Sequence, residues 1–117
     1  MTHWEECWRF NTANFAVVLE LAPCEDDPAD SFQFDEDIEA VRNGSVDWFD
    51  ARIRVLYDNR EVGSDYLCCC AYAPARDFWT AHRKHKQRDY FGDMVRMAIA
   101  QARAHLAHVP HMRINGR

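Results

Sequence analysis

Cysteine and histidine are the residues of this chain with the most specific chemistry, and three of its five cysteines are consecutive, at Cys68–Cys70. Structural zinc sites use four soft ligands, commonly supplied as cysteine pairs with about two to four residues between them, and adjacent cysteines do not have that spacing. Neighbouring residues of a strand also point to opposite faces of a sheet, so the three thiols cannot all reach one ion. We therefore expect no metal and no cofactor.

The histidines do not form a better metal site. They recur at intervals of three residues, as His82 with His85 and as His105 with His108 and His111. The last of them lies beyond Pro110, which ends a helix, so it cannot share a helix face with the other two of its group. We expect surface or tail histidines here.

The cysteines are expected to be reduced and buried. Their number is odd, and the first ten residues, MTHWEECWRF, contain acids and no apolar segment typical of an export signal. A free cysteine in a reducing compartment behaves as a small apolar side chain. The chain has no apolar run near the roughly 20 residues that a membrane span needs. We therefore predict a cytoplasmic protein that makes no contact with a membrane.

One nucleophilic set can be written from the sequence, with Cys70 as the nucleophile, His82 as the base and Asp77 as the orienting group. It would make the chain a small cysteine-dependent or metal-dependent hydrolase, which is one alternative function. The sequence contains no nucleophile elbow, no glycine-rich loop for an oxyanion and no phosphate-binding motif. A cysteine within an apolar strand is also expected to be inert. We therefore favour a protein that is not an enzyme.

Acidic residues dominate the segment from Glu25 to Asp47, where no basic residue occurs before Arg42. Carboxylate pairs for acid–base catalysis could be chosen from it, but a solvated acidic surface explains the segment more simply. Such a surface would attract a basic region of another protein. The candidate partner-binding residues are Asp26, Asp27, Asp30, Asp35, Glu36, Asp37 and Glu39.

A basic segment follows, with Arg83, Lys84, Lys86 and Arg88 as further candidate partner-binding residues. Residues 1–66 contain 16 acids and five bases, whereas residues 67–117 contain three acids and nine bases. The net charge of −5 disfavours direct binding of a nucleic acid. The division of charge allows a second alternative, a homodimer in which the basic segment docks on the acidic half of another copy.

Alternating residues predict the strands. Phe15–Leu21 has a period of two, and so do Ala51–Asp58 and the return segment 61–72, which predicts a hairpin with its turn at Asn59 and Arg60. In the return segment, the alternation places Val62, Ser64, Tyr66, Cys68 and Cys70 on one face. The residues around Trp4, Trp8 and Phe10 would add a strand or a short helix before a turn at 11–14.

Three helices complete the prediction. The first is Asp35–Asn43, with Asp35 as its N-cap and Gly44 just beyond its end. The second is Ala75–His82, and the third is Tyr90–His108, whose inward stripe is Met94, Val95, Ala98, Ile99, Ala102 and Leu106. The length predicts one domain over residues 1–117, with 109–117 as a frayed tail. The fold class is α+β, a small antiparallel sheet of about four strands with two to three helices packed on one face.

Several sequence segments resemble small accessory proteins of phages and plasmids. They are WRFNTANFAVVLE at 8–20, DPADSFQFDEDIEAVRNG at 27–44, WF at 48–49, LCCCAY at 67–72, DFWTAHR at 77–83 and YFGDMVRMAIAQAR at 90–103. The resemblance covers nearly the whole chain and implies no catalytic residues. In this group two glycines are expected before the last cysteine, where this chain has Cys68 and Cys69.

The resemblance implies a biological setting rather than a mechanism. Small acidic proteins of mobile elements often act on a host, and some inhibit CRISPR or restriction enzymes. We therefore predict a non-enzymatic protein in the host cell cytosol that binds a host protein or ribonucleoprotein complex and inhibits or modulates it. A counter-defence inhibitor such as an anti-CRISPR is the most specific form of this prediction.

Overall fold

The computed structural model describes residues 3–80 and 89–107 and has the predicted α+β fold. Its four strands are β1 (Glu5–Asn11), β2 (Phe15–Pro23), β3 (Asp47–Tyr57) and β4 (Arg60–Tyr72). Its helices are α1 (Asp35–Arg42), α2 (Asp77–Thr80) and α3 (Tyr90–Leu106), and a 3-10 turn covers Pro28–Asp30. The strands pair antiparallel in the order β1-β2-β3-β4, so each strand lies beside its neighbour in sequence.

The core lies between the sheet and α3. In β3 the alternating residues Ala51, Ile53 and Val55 are buried, as the sequence pattern predicted, and Phe49, which precedes the predicted strand, is buried as well. The helix covers them with the predicted stripe, of which Met94, Ala98, Ala102 and Leu106 are buried and the other two members are partly buried. Helix α2 contributes Phe78, whose ring packs edge-on against the rings of Phe49 and Phe91.

The predicted alternation along β4 is wrong because two irregularities interrupt its pairing with β3. Between Val55 and Leu56 the partners change from Gly63 to Glu61, and between Phe49 and Ala51 they change from Cys70 to Leu67. Each extra residue reverses the face on which the following side chains lie. As a result, Cys70 is buried whereas Tyr66 is 55% exposed.

The hairpin turn lies one residue earlier than predicted. Asp58 and Asn59 are the two turn residues, with φ of 49° and 65°, and β4 begins at Arg60. A two-residue turn with positive φ at both positions matches the twist of the two strands. Asp and Asn tolerate this conformation better than Arg does, which explains the shift.

Helix α1 differs from the prediction at its first residue. Its N-cap is Phe34, which makes no side-chain capping bond, and Asp35 is the first helical residue. The first turn contains Asp35, Glu36 and Asp37, whose charges complement the positive end of the helix dipole. Gly44 follows the helix with φ of 82°, as predicted for the residue after a helix end.

Some predictions fall outside the described residues. They are His82, the basic residues Arg83, Lys84, Lys86 and Arg88, and the frayed tail 109–117. Within the described residues, no helix is long and apolar enough to cross a membrane.

Candidate functional site

The acidic arm, residues 24–46, joins β2 to β3 and contains eight acids and one base. Three contacts with Trp48 hold the arm against the beginning of β3. The indole Nε1 donates to the carbonyl oxygen of Asp26 at 3.0 Å, the Cys24 N–H donates to the Trp48 carbonyl oxygen at 3.2 Å, and the Phe32 ring lies 5.6 Å from the indole. The beginning of the arm therefore has a fixed position on the sheet.

Asp27 organises the arm internally. Its side chain accepts a hydrogen bond from the Ala29 N–H at 2.9 Å, which caps the 3-10 turn. It also forms an ion pair with Arg42 at 3.1 Å. Both contacts lower the pKa of Asp27, and the hydrogen bond from the Ala29 N–H has the larger effect. Since Arg42 lies in the last turn of α1, this ion pair links the two ends of the arm.

Five further acids of the predicted partner-binding set face solvent. They are Asp30, Asp35, Glu36, Asp37 and Glu39, and all are exposed. Across residues 3–80 and 89–107, their side chains make no hydrogen bond or ion pair. Phe34 lies among them in sequence and is 61% exposed. The arm therefore presents these five carboxylates without a basic partner in the described part of the chain, together with one apolar ring.

At the beginning of the arm, Cys24 and Asp26 meet the distant residue Cys69 in one cluster. The sulfur atoms of Cys24 and Cys69 are 3.5 Å apart, and the Cys69 thiol donates to Asp26 Oδ2 at 3.3 Å. The Cys69 N–H also donates to Asp50 Oδ1 at 3.0 Å. Both cysteines are partly buried, whereas Asp26 is exposed.

The irregular pairing of β4 places Cys69 in this cluster. Asp50 has no single partner in β4, because its neighbours Phe49 and Ala51 pair with Cys70 and Leu67. Cys69 lies in the resulting bulge with φ of 63°, a left-handed conformation that is uncommon for a cysteine. The bulge directs its thiol to the arm, while Cys70, the next residue, is buried in the core.

The predicted burial of the cysteines holds for Cys70 alone. All five cysteines lie in the described residues as free thiols, but Cys68 is exposed and the other three are partly buried. Burial raises the pKa of Cys24 to about 12, and it also raises the pKa of Cys69. Both thiols are therefore protonated at neutral pH.

Cys70, the nucleophile of the hydrolase alternative, has an unfavourable environment for catalysis. It is 5% exposed, and its thiol donates to the Leu67 carbonyl oxygen at 3.7 Å. Burial, followed by the nearby charge of Asp50, raises the pKa of Cys70 to about 12. A nucleophilic cysteine needs a lowered pKa and access to substrate, and this thiol has neither. Asp77 begins α2, and His82 lies outside the described residues.

An apolar groove lies where α3 leaves part of the sheet uncovered. Its volume is about 340 Å³, and its walls include Trp8, Phe10, Val17, Val95 and Ile99. Helix α3 packs mainly on β4 and β3, so the part of the same sheet face nearer to β1 and β2 is left uncovered and forms the groove. Phe10 is 55% exposed at its rim.

Comparisons with protein-family models, curated proteins and solved structures found no match to this chain. The resemblance to accessory proteins of phages and plasmids therefore stays a prediction.

Sequence reasoning found the acidic arm but missed the cluster formed by Cys24, Asp26 and Cys69. Cys24 and Cys69 are separated by 45 positions, and no motif joins them. The one local signal was the Cys-x-Asp spacing of Cys24 and Asp26 in a loop. The other half of the cluster depends on the bulge in β4, which the alternation did not indicate.

Proposed function

We propose that this chain is a non-enzymatic binding protein that presents its acidic arm to a basic surface of a macromolecular partner. The observation that supports this function is the set of five exposed carboxylates that have no partner among residues 3–80 and 89–107, on an arm whose beginning is fixed. Their charges remain available for another molecule, because no basic side chain of the described residues neutralises them.

Electrostatics favours a basic partner over other classes. Clustered charges of one sign create a potential that accelerates the approach of a surface of opposite sign. The same potential repels the phosphates of a nucleic acid. A protein groove that normally holds nucleic acid has the required positive charge, so the arm would compete with the nucleic acid for that groove.

The attachment of the arm also favours binding. Association is weakened by the entropy lost when mobile side chains and loops become ordered. Here the contacts with Trp48 and the ion pair between Asp27 and Arg42 order the arm before a partner arrives. Phe34 would supply an apolar contact among the charges, as aromatic residues often do at the centre of an interface.

A host protein or ribonucleoprotein complex is the partner class that we propose. A counter-defence inhibitor such as an anti-CRISPR is the most specific version, and it rests on the sequence resemblance alone. The arm supports the coarser proposal of a basic partner without it.

The test compares two double variants with the same change in charge. Glu36→Lys with Glu39→Lys reverses two charges on the arm, whereas Glu5→Lys with Glu61→Lys reverses two exposed glutamates on the strands. Each variant is used to capture proteins from a bacterial lysate, and the captured partner is then purified and titrated at several salt concentrations. We expect the arm variant to bind at least about tenfold more weakly than the wild type, and the strand variant to bind within about twofold of it.

Thermal melting of both variants excludes unfolding as the cause. The arm variant should melt within a few degrees of the wild type, because the reversed side chains are exposed. Equal binding by the arm variant and the wild type, with the same salt dependence, would refute the proposed function.

A further inference from the structure

We propose that Cys24, Asp26 and Cys69 form a binding site for a divalent transition metal ion, and that zinc is the ion that fits them best. Cys24 and Asp26 lie at the beginning of the acidic arm, but the site uses none of the five carboxylates between Asp30 and Glu39 that support the proposed function. Its existence does not depend on the proposed binding function.

The distances in the cluster are close to those of a tetrahedral zinc site. Zinc lies about 2.3 Å from a thiolate sulfur and about 2.0–2.2 Å from a carboxylate oxygen, so tetrahedral ligands place two sulfurs about 3.8 Å apart and a sulfur and an oxygen about 3.5 Å apart. Here the two sulfurs are 3.5 Å apart, and Cys69 Sγ is 3.3 Å from Asp26 Oδ2. All three ligand atoms lie within 4.8 Å of one another. Small side-chain movements would therefore complete three corners of the tetrahedron.

The ligand types select the class of ion. Two thiolates and one carboxylate suit zinc and the neighbouring transition metals, whereas magnesium and calcium prefer sites made of oxygen alone. Asp26 is exposed, so an ion can enter from solvent and a water molecule can take the fourth position. The ion would displace one proton from each thiol, and its two positive charges would offset the two thiolates.

Asp50 is the positioning residue of the proposed site. Its carboxylate accepts a hydrogen bond from the Cys69 N–H at 3.0 Å. Groups that hydrogen-bond the residues around a metal fix their orientation and increase the affinity of the site. Asp50 therefore fixes the backbone of Cys69 from β3, the strand that pairs with β4.

A bound ion would join parts of the chain that are 45 positions apart in sequence. It would connect the beginning of the acidic arm to the bulge of β4. Cross-links between distant positions reduce the freedom of the unfolded chain, and an ion that binds only the folded state stabilises it. Metal binding should therefore raise the melting temperature.

The direct test is a titration of the reduced, metal-free protein with Co²⁺, followed by competition with Zn²⁺. Cobalt bound by thiolates has a sulfur-to-metal charge-transfer band in the near ultraviolet, and tetrahedral cobalt also absorbs strongly in the visible. We expect both signals to saturate at one ion per chain and to disappear when Zn²⁺ is added. Cobalt bound by histidines alone gives no sulfur band, and that outcome would overturn the proposal.

Three variants locate the site. Cys24→Ser and Cys69→Gly each remove one sulfur, whereas Cys68→Ser removes the exposed thiol beside Cys69 and serves as the matched control. The glycine variant should fold because φ of 63° at this position suits glycine. We expect affinity for Co²⁺ to fall at least about 100-fold in the first two variants and to change less than about threefold in the control.

Melting with and without Zn²⁺ gives an independent readout. Excess Zn²⁺ should raise the melting temperature of the wild type and of Cys68→Ser by several degrees, but not that of Cys24→Ser or Cys69→Gly. The proposal fails if the sulfur band persists in both of those variants. It also fails if the two cysteines form a disulfide in the purified protein and the reduced protein binds no cobalt.

Discussion

At the level of single residues, Glu20 shows how this small sheet accommodates a charge. It is 8% exposed, on the face opposite α3, and it accepts hydrogen bonds from Arg52 Nε at 2.8 Å and from Arg54 Nε at 2.6 Å. The guanidinium of Arg52 in turn lies 4.3 Å from the centre of the Trp4 ring. Burial acts to raise the pKa of Glu20, but the bonds from Arg54 and Arg52 outweigh it, so the pKa is lowered.

The change Glu20→Gln should lower the free energy of unfolding by about 1–3 kcal/mol at pH 7, because the three hydrogen bonds from Arg52 and Arg54 lose the negative charge of their acceptor and the amide nitrogen cannot accept from Arg54 Nη2. A carboxyl group whose pKa is lowered by folding stabilises the protein above its unfolded pKa of about 4.3. This contribution disappears as the pH falls through the lower folded value. Urea unfolding from pH 7 to about pH 3 should therefore show the difference between wild type and variant decreasing below about pH 4.

Glu61→Gln is the matched control for this prediction. Glu61 is exposed and lies 3.8 Å from Arg54 Nη1, so it contacts the same arginine as Glu20 does but remains in solvent. Exposed ion pairs contribute about 0–1 kcal/mol. Equal effects of the two substitutions would show that the burial of Glu20 has no energetic importance.

At the level of elements, the position of α3 depends on one glycine of β4. Gly63 is buried beneath the helix, and a Cβ added there would collide with the carbonyl oxygen of Ala98 and would lie 2.8 Å from the backbone nitrogen of Ala102. Both of these helix residues are alanines with almost no exposed surface. Small residues on both sides allow the helix and the strand to approach closely.

The change Gly63→Ala should therefore lower the free energy of unfolding by about 3 kcal/mol, since the atoms that a methyl group meets belong to backbone and cannot rotate away. Gly44→Ala provides a comparison. It meets no atom within 4 Å and introduces only the strain of φ at 82°, with a cost of about 1 kcal/mol. Urea unfolding of both variants measures the difference, and a Gly63→Ala effect no larger than that of Gly44→Ala would contradict the close contact.

At the level of the whole molecule, the charges are divided between the described residues and the rest of the chain. The described residues contain all 19 acids and eight of the bases, and the other six bases lie in residues 81–88 and 108–117. The total remains −5. This distribution leaves two arrangements open, a single copy whose arm binds a different protein and a homodimer in which basic segment and acidic half meet.

We expect a monomer on a sizing column at both low and high salt, because two copies with the same net charge repel each other and this repulsion is strongest at low salt. The measurement is the elution volume at about 0.05 M and 0.5 M salt. Earlier elution at low salt that is lost at high salt would contradict the monomer. That result would support docking of the basic segment on the acidic half of a second copy.

The sequence by itself determined the fold class and part of the local structure. The period of two in β3 and the apolar stripe of α3 correctly identified buried residues, and Gly44 correctly marked the end of α1. These signals are reliable because backbone geometry repeats along each element, so side chains of one face recur at fixed intervals. The sequence also indicated the acidic arm, since a run of acidic residues is exposed to solvent whatever the path of the rest of the chain.

Only the tertiary structure decided where β4 changes face and which distant residues meet. One extra residue near the beginning of β4 moves Tyr66 to the exposed face, and a second extra residue near its end turns Cys69 toward the arm. Glu20 contacts two arginines because β2 and β3 pair in a register that places Glu20 opposite Arg52. The cluster of Cys24, Asp26 and Cys69 arises in the same way, because contacts across 45 positions depend on the path of the chain through space.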